Sequence, residues 1–163
     1  MFLDAIVRLY QYQRESNARV LDTVDEISVT ELTAVVVEGQ PSIKDTLVHL
    51  FSVTQMDVAW WRNRLSGEDA FRIEHLNQDY ADANSLRNLW LETDSEIASF
   101  INSLNSSDDL ERQYTRVTPD GETRTRVLWE MMLHVINHGT QHRSEVAVML
   151  TKLGHSPGDM EIL

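Results

Sequence analysis

Three histidines recur at four-residue spacing in His134-Val-Ile-Asn-His138-Gly-Thr-Gln-His142. On an α-helix each four-residue step adds only ~40° beyond a full turn, so the three imidazoles form one ridge. Imidazole nitrogens are common ligands for zinc-like divalent ions, and a pair at i and i+4 can hold one ion from a single helix. The residues between His138 and His142 differ from the H-E-x-x-H zinc motif, so neither that motif nor its glutamate base is inferred. A further ligand must come from elsewhere in the chain. His49, in Asp45-Thr-Leu-Val-His49-Leu-Phe-Ser-Val53, is the candidate.

A helical wheel places Val127, Met131, Glu145 and Met149 in the same stripe as the three histidines, which predicts that the ridge faces inward. His49 likewise shares a broad apolar face with Val53, Met56 and Trp60. An unpaired polar group costs roughly 1–3 kcal/mol when buried, against a net domain stability of roughly 5–15 kcal/mol. Inward imidazoles must therefore bond one another, reach water or bind an ion. The alternative to a metal site is a stack of hydrogen-bonded histidines. His134 stays open between a ligand, a donor behind a ligand, and a partner of backbone or carboxylate. Glu145, one turn past His142, stays open between a fourth ligand, an acceptor behind a ligand, and a proton shuttle. His75 and His155 fall in connecting and tail segments and are expected in solvent. Gly139, beside His138, costs a helix about 1 kcal/mol relative to alanine. It admits three readings: close approach of a neighbouring backbone, a ligand path to the metal, or plain helix packing. Trp60-Trp61, near Met56, reads as core filling rather than as a substrate wall.

Four segments of helical period position these residues. The first runs from about Leu3 to Val24, with Leu3, Ile6, Val7, Tyr10, Leu21 and Val24 returning at three- and four-residue steps. Asn17 interrupts that stripe. The second follows Pro41, with Ser42 as N-cap and Asp45 three residues on, and reaches about Leu65 before Gly67. The third runs from about Asn84 to Leu104, on Leu86, Leu89, Trp90, Ile97, Phe100, Ile101 and Leu104. The fourth, from about Arg126 to Leu153, carries the histidine ridge and closes at Gly154. Between the third and fourth, Asp120-Gly121 flanked by Tyr114, Thr115, Val117, Thr123 and Thr125 predicts a short β-hairpin. A lone hairpin is marginal in water, so it should lie on the bundle. The expected fold is all-α: a four-helix bundle with that hairpin before the last helix, residues 1–163 forming one domain. The long connection 66–83 leaves room for a crossover.

Composition narrows the chemistry further. The 163-residue chain contains no cysteine, so any metal must take nitrogen and oxygen ligands. Its net charge of -12 argues against a nucleic-acid partner and against anionic membranes. No apolar run approaches the ~20 residues that a membrane span requires. The N-terminal stretch lacks the basic start and apolar core of a signal peptide, so a cytoplasmic location is expected.

With these residues in hand, the chain resembles the DinB-like metalloenzymes, a family of four-helix bundles, over nearly its whole length. LYQYQRESNARVLDTV resembles the family's opening helix, and SIKDTLVHLFSVTQMDVAWWRNRLSG resembles its second, where a histidine precedes a tryptophan by about ten residues. HVINHGTQHRSEVAVMLTKLGHSPGDME resembles its last helix and tail and is the most specific piece. The resemblance implies one metal-binding histidine from the second helix and an H-x3-H pair from the last. By position these are His49, His138 and His142. Where the family often has glycine and glutamine after the histidine-arginine pair, this chain has Ser144 and Glu145. That departure leaves the three histidines intact and bears on their surroundings. The resemblance also implies homodimers and ions such as zinc, nickel or manganese.

Three neutral imidazoles leave coordination positions open on such an ion, which can activate water or bind a thiolate. By analogy with thiol-using relatives, the expectation is a metal-dependent enzyme acting on a small-molecule substrate or thiol. S-transfer is preferred over hydrolysis, and Glu145 and His134 are the proton-transfer candidates. The alternatives are a non-catalytic metal or small-ligand binding protein, such as a stress-response sensor, and a purely structural site.

Overall fold

The computed structural model describes residues 2–66, 80–117 and 121–162. Gly67, His75 and Asp120 lie outside these residues. The elements in chain order are α1 (Phe2–Val24), α2 (Val29–Thr33), α3 (Ile43–Ser66), α4 (Ala83–Asn102), α5 (Ser107–Leu110), β1 (Gln113–Val117), β2 (Thr123–Val127) and α6 (Leu128–Lys152). The four long helices are those expected from the periodicity, and the hairpin stands immediately before the last of them.

Local chemistry sets the helix ends. Ser42 Oγ accepts the Asp45 N–H at 3.1 Å, satisfying one of the orphan donors at the start of α3. Asp82 and Ser85 form a reciprocal capping box at the start of α4. Beyond α6 the chain turns at Gly154, whose φ of 92° suits a residue without Cβ, and the His155 N–H returns to the Leu150 carbonyl at 2.9 Å.

The apolar stripes meet in one core. Ile6, Tyr10, Val20 and Leu21 of α1 join Leu47, Leu50, Phe51 and Trp61 of α3 there. Leu86, Leu89 and Phe100 of α4 complete it with Met132, Val135 and Met149 of α6. Two aromatic pairs join α3 to α4: Phe51 with Trp90 at 5.1 Å and Trp61 with Phe100 at 5.5 Å between centroids. The expected stripe of α1 is wrong at Val7, which is 41% exposed. Val7 fits the spacing from Leu3 and Tyr10, but the buried face of α1 passes through Ile6, Gln13, Ser16 and Asn17 instead.

Helix neighbours do not follow chain order. α1 packs on α6 and α4, and α3 packs on α4 and α6. α3 and α4 are therefore neighbours, and the connection between them, long enough for a crossover, makes none. The diagonal passages are 25–42 and 103–127, which contain α2, α5 and the hairpin. That hairpin pairs antiparallel, with Gln113 opposite Val127 and Thr115 opposite Thr125. It is docked on the bundle by Tyr114, buried at the edge of Trp60 (5.6 Å between centroids), whose hydroxyl donates to the Trp61 carbonyl at 3.3 Å. Among the described residues no helix is long and apolar enough to cross a membrane.

Because Ser42 anchors the helix that carries His49, Ser42→Ala should lower stability by about 1 kcal/mol in urea denaturation. A shift of less than a few tenths would show that the cap does not hold α3.

Candidate metal centre

The contact between α3 and α6 brings His49, His138 and His142 together. One ring nitrogen from each lies within 4.8 Å of the others, forming a group that could hold a metal ion. The ring centroids are 5.3 Å apart for His49 and His138, 4.9 Å for His49 and His142, and 4.4 Å for His138 and His142. The group lies off the bundle centre. His49 is exposed and the other two are half-buried. The inward expectation fails here because the stripe of α6 is wider than its buried seam. Met131 and Met149 sit in the core, while His134, on the same ridge, is exposed. Water thus reaches part of the cluster, and desolvation alone does not force an ion into it.

The hydrogen bonding fits a metal ligand set. His142 Nδ1 and Glu145 Oε2 are 2.7 Å apart; the carboxylate accepts, so Nδ1 carries the proton and Nε2 keeps its lone pair. That Nε2 is 3.0 Å from the Nε2 of His138. Two nitrogens bonded to one ion at ~2.1 Å stand ~3.0–3.4 Å apart, so the pair is already spaced for a shared ion. Without one, the His138 Nε2–H donates to His142. Glu145 is thereby placed behind a candidate ligand, in the carboxylate–histidine arrangement that fixes ring orientation at metal sites. Gln141 Nε2 donates to the other Glu145 oxygen at 3.1 Å.

The electrostatics favour the neutral form of His138 and His49. Burial and the neighbouring His142, His49 and His134 push His138 down to about 4. Burial and His142 also lower His49, opposed by Glu145. Burial acts to raise Glu145, but hydrogen bonds from Gln141 and His142 leave it below the ordinary carboxylate value, hence ionised at neutral pH. A neutral imidazole is the form that ligates.

A cavity of about 850 Å³ lies beside His134, and none of the three clustered histidines is among its described lining residues. Its lining includes Val53, one turn beyond His49, and His134, whose ring stacks on His138 at 6.1 Å between centroids. Trp60 and Trp129 form apolar wall, with Arg124 and Arg126 from β2. The tryptophan pair thus divides. Trp61 is 1% exposed and fills the core as expected, whereas Trp60 faces the cavity.

Sequence reasoning did not assign Arg143 any role. Its guanidinium is buried between α6 and α1, with neutral acceptors: Asn17 Oδ1 at 3.2 Å and Thr140 Oγ1 at 3.1 Å. The Tyr12 ring lies 5.9 Å away. Burial lowers its pKa to about 10, opposed by the Tyr12 hydroxyl, so it stays charged at neutral pH. This explains Asn17 in the α1 stripe, and it explains Gly139. A Cβ there would lie 2.7 Å from Arg143 Nη1 and 2.8 Å from Gln13 Oε1. The glycine serves helix packing rather than a path to the metal. The available signal was Gly139 and Arg143 at i and i+4, a second polar face beside the histidine ridge. His155 also departs from expectation: it is half-buried, with Nδ1 3.0 Å from Glu26 Oε2, because the tail folds back along α1.

Comparison with known proteins agrees with this architecture. The pattern of the DinB family matches residues 1–163. Protein DinB of Bacillus subtilis (strain 168) is 22% identical over 159 residues, spanning 94% of this chain and 88% of that protein. The crystal structure of a DinB-like protein from Bacillus cereus ATCC 10987 superposes with a TM-score of 0.70 at 14% identity, covering 96% of this chain and 95% of that one. The crystal structure of a conserved protein from Enterococcus faecalis superposes with a TM-score of 0.63 at 10% identity, covering 90% of this chain and 95% of that one. At these identities the structural likeness speaks to fold alone.

Two outcomes are expected. Gly139→Ala should lower stability by about 1 kcal/mol in urea, instead of raising it as alanine does at an open helical site; a gain would show that Arg143 and Gln13 yield freely. Free imidazole takes its proton near 6.5, and His138 does so at about 4 when folded. Between those values the unfolded chain binds more protons, so metal-free stability is full above 6.5 and falls as pH drops toward 4. His138→Gln should flatten that slope in urea titrations across the same window.

Proposed function

The chain belongs to the DinB family, and from that premise we propose that it is a divalent-metal-dependent enzyme acting on small molecules. A thiol S-transfer is preferred over a hydrolysis. The observation that carries this reading is the convergence of three imidazole nitrogens within 4.8 Å, with a cavity beside the neighbouring His134. His49, His138 and His142 would hold the ion, with zinc, nickel or manganese as candidates. Bound there, the ion would supply a Lewis acid that lowers the pKa of a thiol or water.

The chain's own residues would supply the remaining roles. Glu145 is already engaged by His142 and Gln141, which favours orientation of the His142 ring over proton carriage. His134 lines the cavity one turn before His138, so it is the better placed proton acceptor. In S-transfer the thiol proton would pass to His134, the sulfur–carbon bond would form, and the leaving group would depart with the electron pair of its broken bond. The proposal takes the chain as one functional domain, cytoplasmic as its N-terminal stretch suggests and a homodimer as the family resemblance implies. The charge of -12 supports small-molecule rather than nucleic-acid partners.

Metal analysis and a thiol-conjugation screen, run with and without chelator, test the reading. His138→Ala and His142→Ala should each abolish tight metal binding. Glu145→Gln should weaken it about 10–100-fold, and His134→Ala should keep the metal and lose chelator-sensitive turnover. Equal metal content in the two ligand variants and the parent protein would overturn the site. Full metal loading without chelator-sensitive turnover would favour a non-catalytic binding protein.

A further inference from the structure

The cavity beside His134 has a chemical polarity of its own. Its apolar wall includes Trp60 and Trp129, each supported by another aromatic ring. Tyr114 stands at the edge of Trp60 at 5.6 Å, and Phe2 at the edge of Trp129 at 6.0 Å between centroids. Rings held in this way present flat, fixed surfaces to a ligand. The volume of about 850 Å³ lies within the roughly 300–1,000 Å³ that small-molecule sites occupy.

The charged groups of the lining are segregated by element. Arg124 and Arg126 come from β2, whereas Asp57 and Glu130 come from α3 and α6. Residues 112–126 carry four arginines against two carboxylates, in a chain whose net charge is -12. Arg112 is paired with Asp109, so the cations that this segment brings to the cavity are Arg124 and Arg126. Arg124 is paired with Glu122 at 3.0 Å. Among the described residues, Arg126 donates only to the carbonyl of its neighbour Thr125, at 3.2 Å, and its guanidinium fork keeps further donors for an acceptor.

We propose that this cavity binds an amphiphilic organic anion: a small molecule with a flat apolar body against Trp60 and Trp129 and a carboxylate at Arg126 and Arg124. His134, which lines the same cavity and stacks on His138, connects such a ligand to the histidine cluster. That connection deepens the enzymatic reading and rests on it. The binding site itself stands on the lining residues alone.

The test uses the full chain and three probes of one shape: 3-phenylpropionate, its amide, and 3-phenylpropylamine. Binding is read by tryptophan fluorescence and ligand-observed NMR, with chelator and again with zinc. The chelated protein decides the point, since a carboxylate can also ligate zinc. There the acid should bind about tenfold tighter than the amide, the ratio that one charge-assisted hydrogen bond supplies. The amine should bind weakest. The Arg124→Gln/Arg126→Gln variant should lose the preference for the acid. Trp129→Ala, checked for folding by circular dichroism, should weaken acid and amide alike. Equal affinity for acid and amide, a preference for the amine, or indifference to the arginine substitutions would overturn the proposal. Acid preference in a protein that fails to bind zinc would uphold the cavity and defeat the metal reading. Zinc binding without acid preference would do the reverse.

Discussion

The seating of α6 depends on one buried cation. Arg143 lies between α6 and α1, where its hydrogen-bond acceptors are the neutral oxygens of Asn17 and Thr140 and the Tyr12 ring stands nearby. A charge held this way tolerates little displacement, because each hydrogen bond lost leaves a desolvated donor. Arg143 follows His142, and Gly139 follows His138, so the polar contact with α1 lies ~100° around the helix from the histidine ridge. Fixing one face fixes the other. With Gly139 and Arg143 against α1, the two histidines are turned toward α3, where His49 meets them.

The centre that results is open to solvent at His49. Its ligand candidates differ in their surroundings: His49 is exposed, while His138 and His142 are half-buried. Glu145 links this centre to the surface chemistry of α6 by holding the proton of His142 on Nδ1. Glu145 is thus not interchangeable with glutamine here. It places an ionised carboxylate behind one ring, where a carboxamide would donate or accept without charge.

Much of the architecture was legible because it rests on local chemistry. Periodic apolar residues marked four helices, Ser42 marked the start of α3, and Asp120-Gly121 marked the hairpin. The H-x3-H spacing identified the ridge because four residues nearly complete a helical turn. His49 was harder, since a single histidine carries no spacing of its own; it was named from its place on the inward face of a second helix opposite the pair, and the family resemblance agreed. What remained hidden depended on contacts between distant residues. No local pattern distinguishes Trp60, at the cavity, from Trp61, in the core, because adjacent residues differ only in which face packing selects. A buried arginine with neutral partners is likewise unreadable from a helix rich in polar side chains. The order of helix neighbours stayed open in the sequence because connection length permits a crossover without requiring one.

That order has a consequence for synthesis. The interface that α1 shares with α6 joins Asn17 to Arg143, residues 126 positions apart. As the polypeptide leaves the ribosome, α1 emerges early with polar groups meant for a surface that does not yet exist. α3 and α4 can pair while translation continues. The N-terminal helix must await the final turns of α6, and contacts of such long range close slowly. Until then the face bearing Gln13, Ser16 and Asn17 stays hydrated. These polar residues would keep a waiting helix from the premature self-association that an unbroken greasy stripe invites.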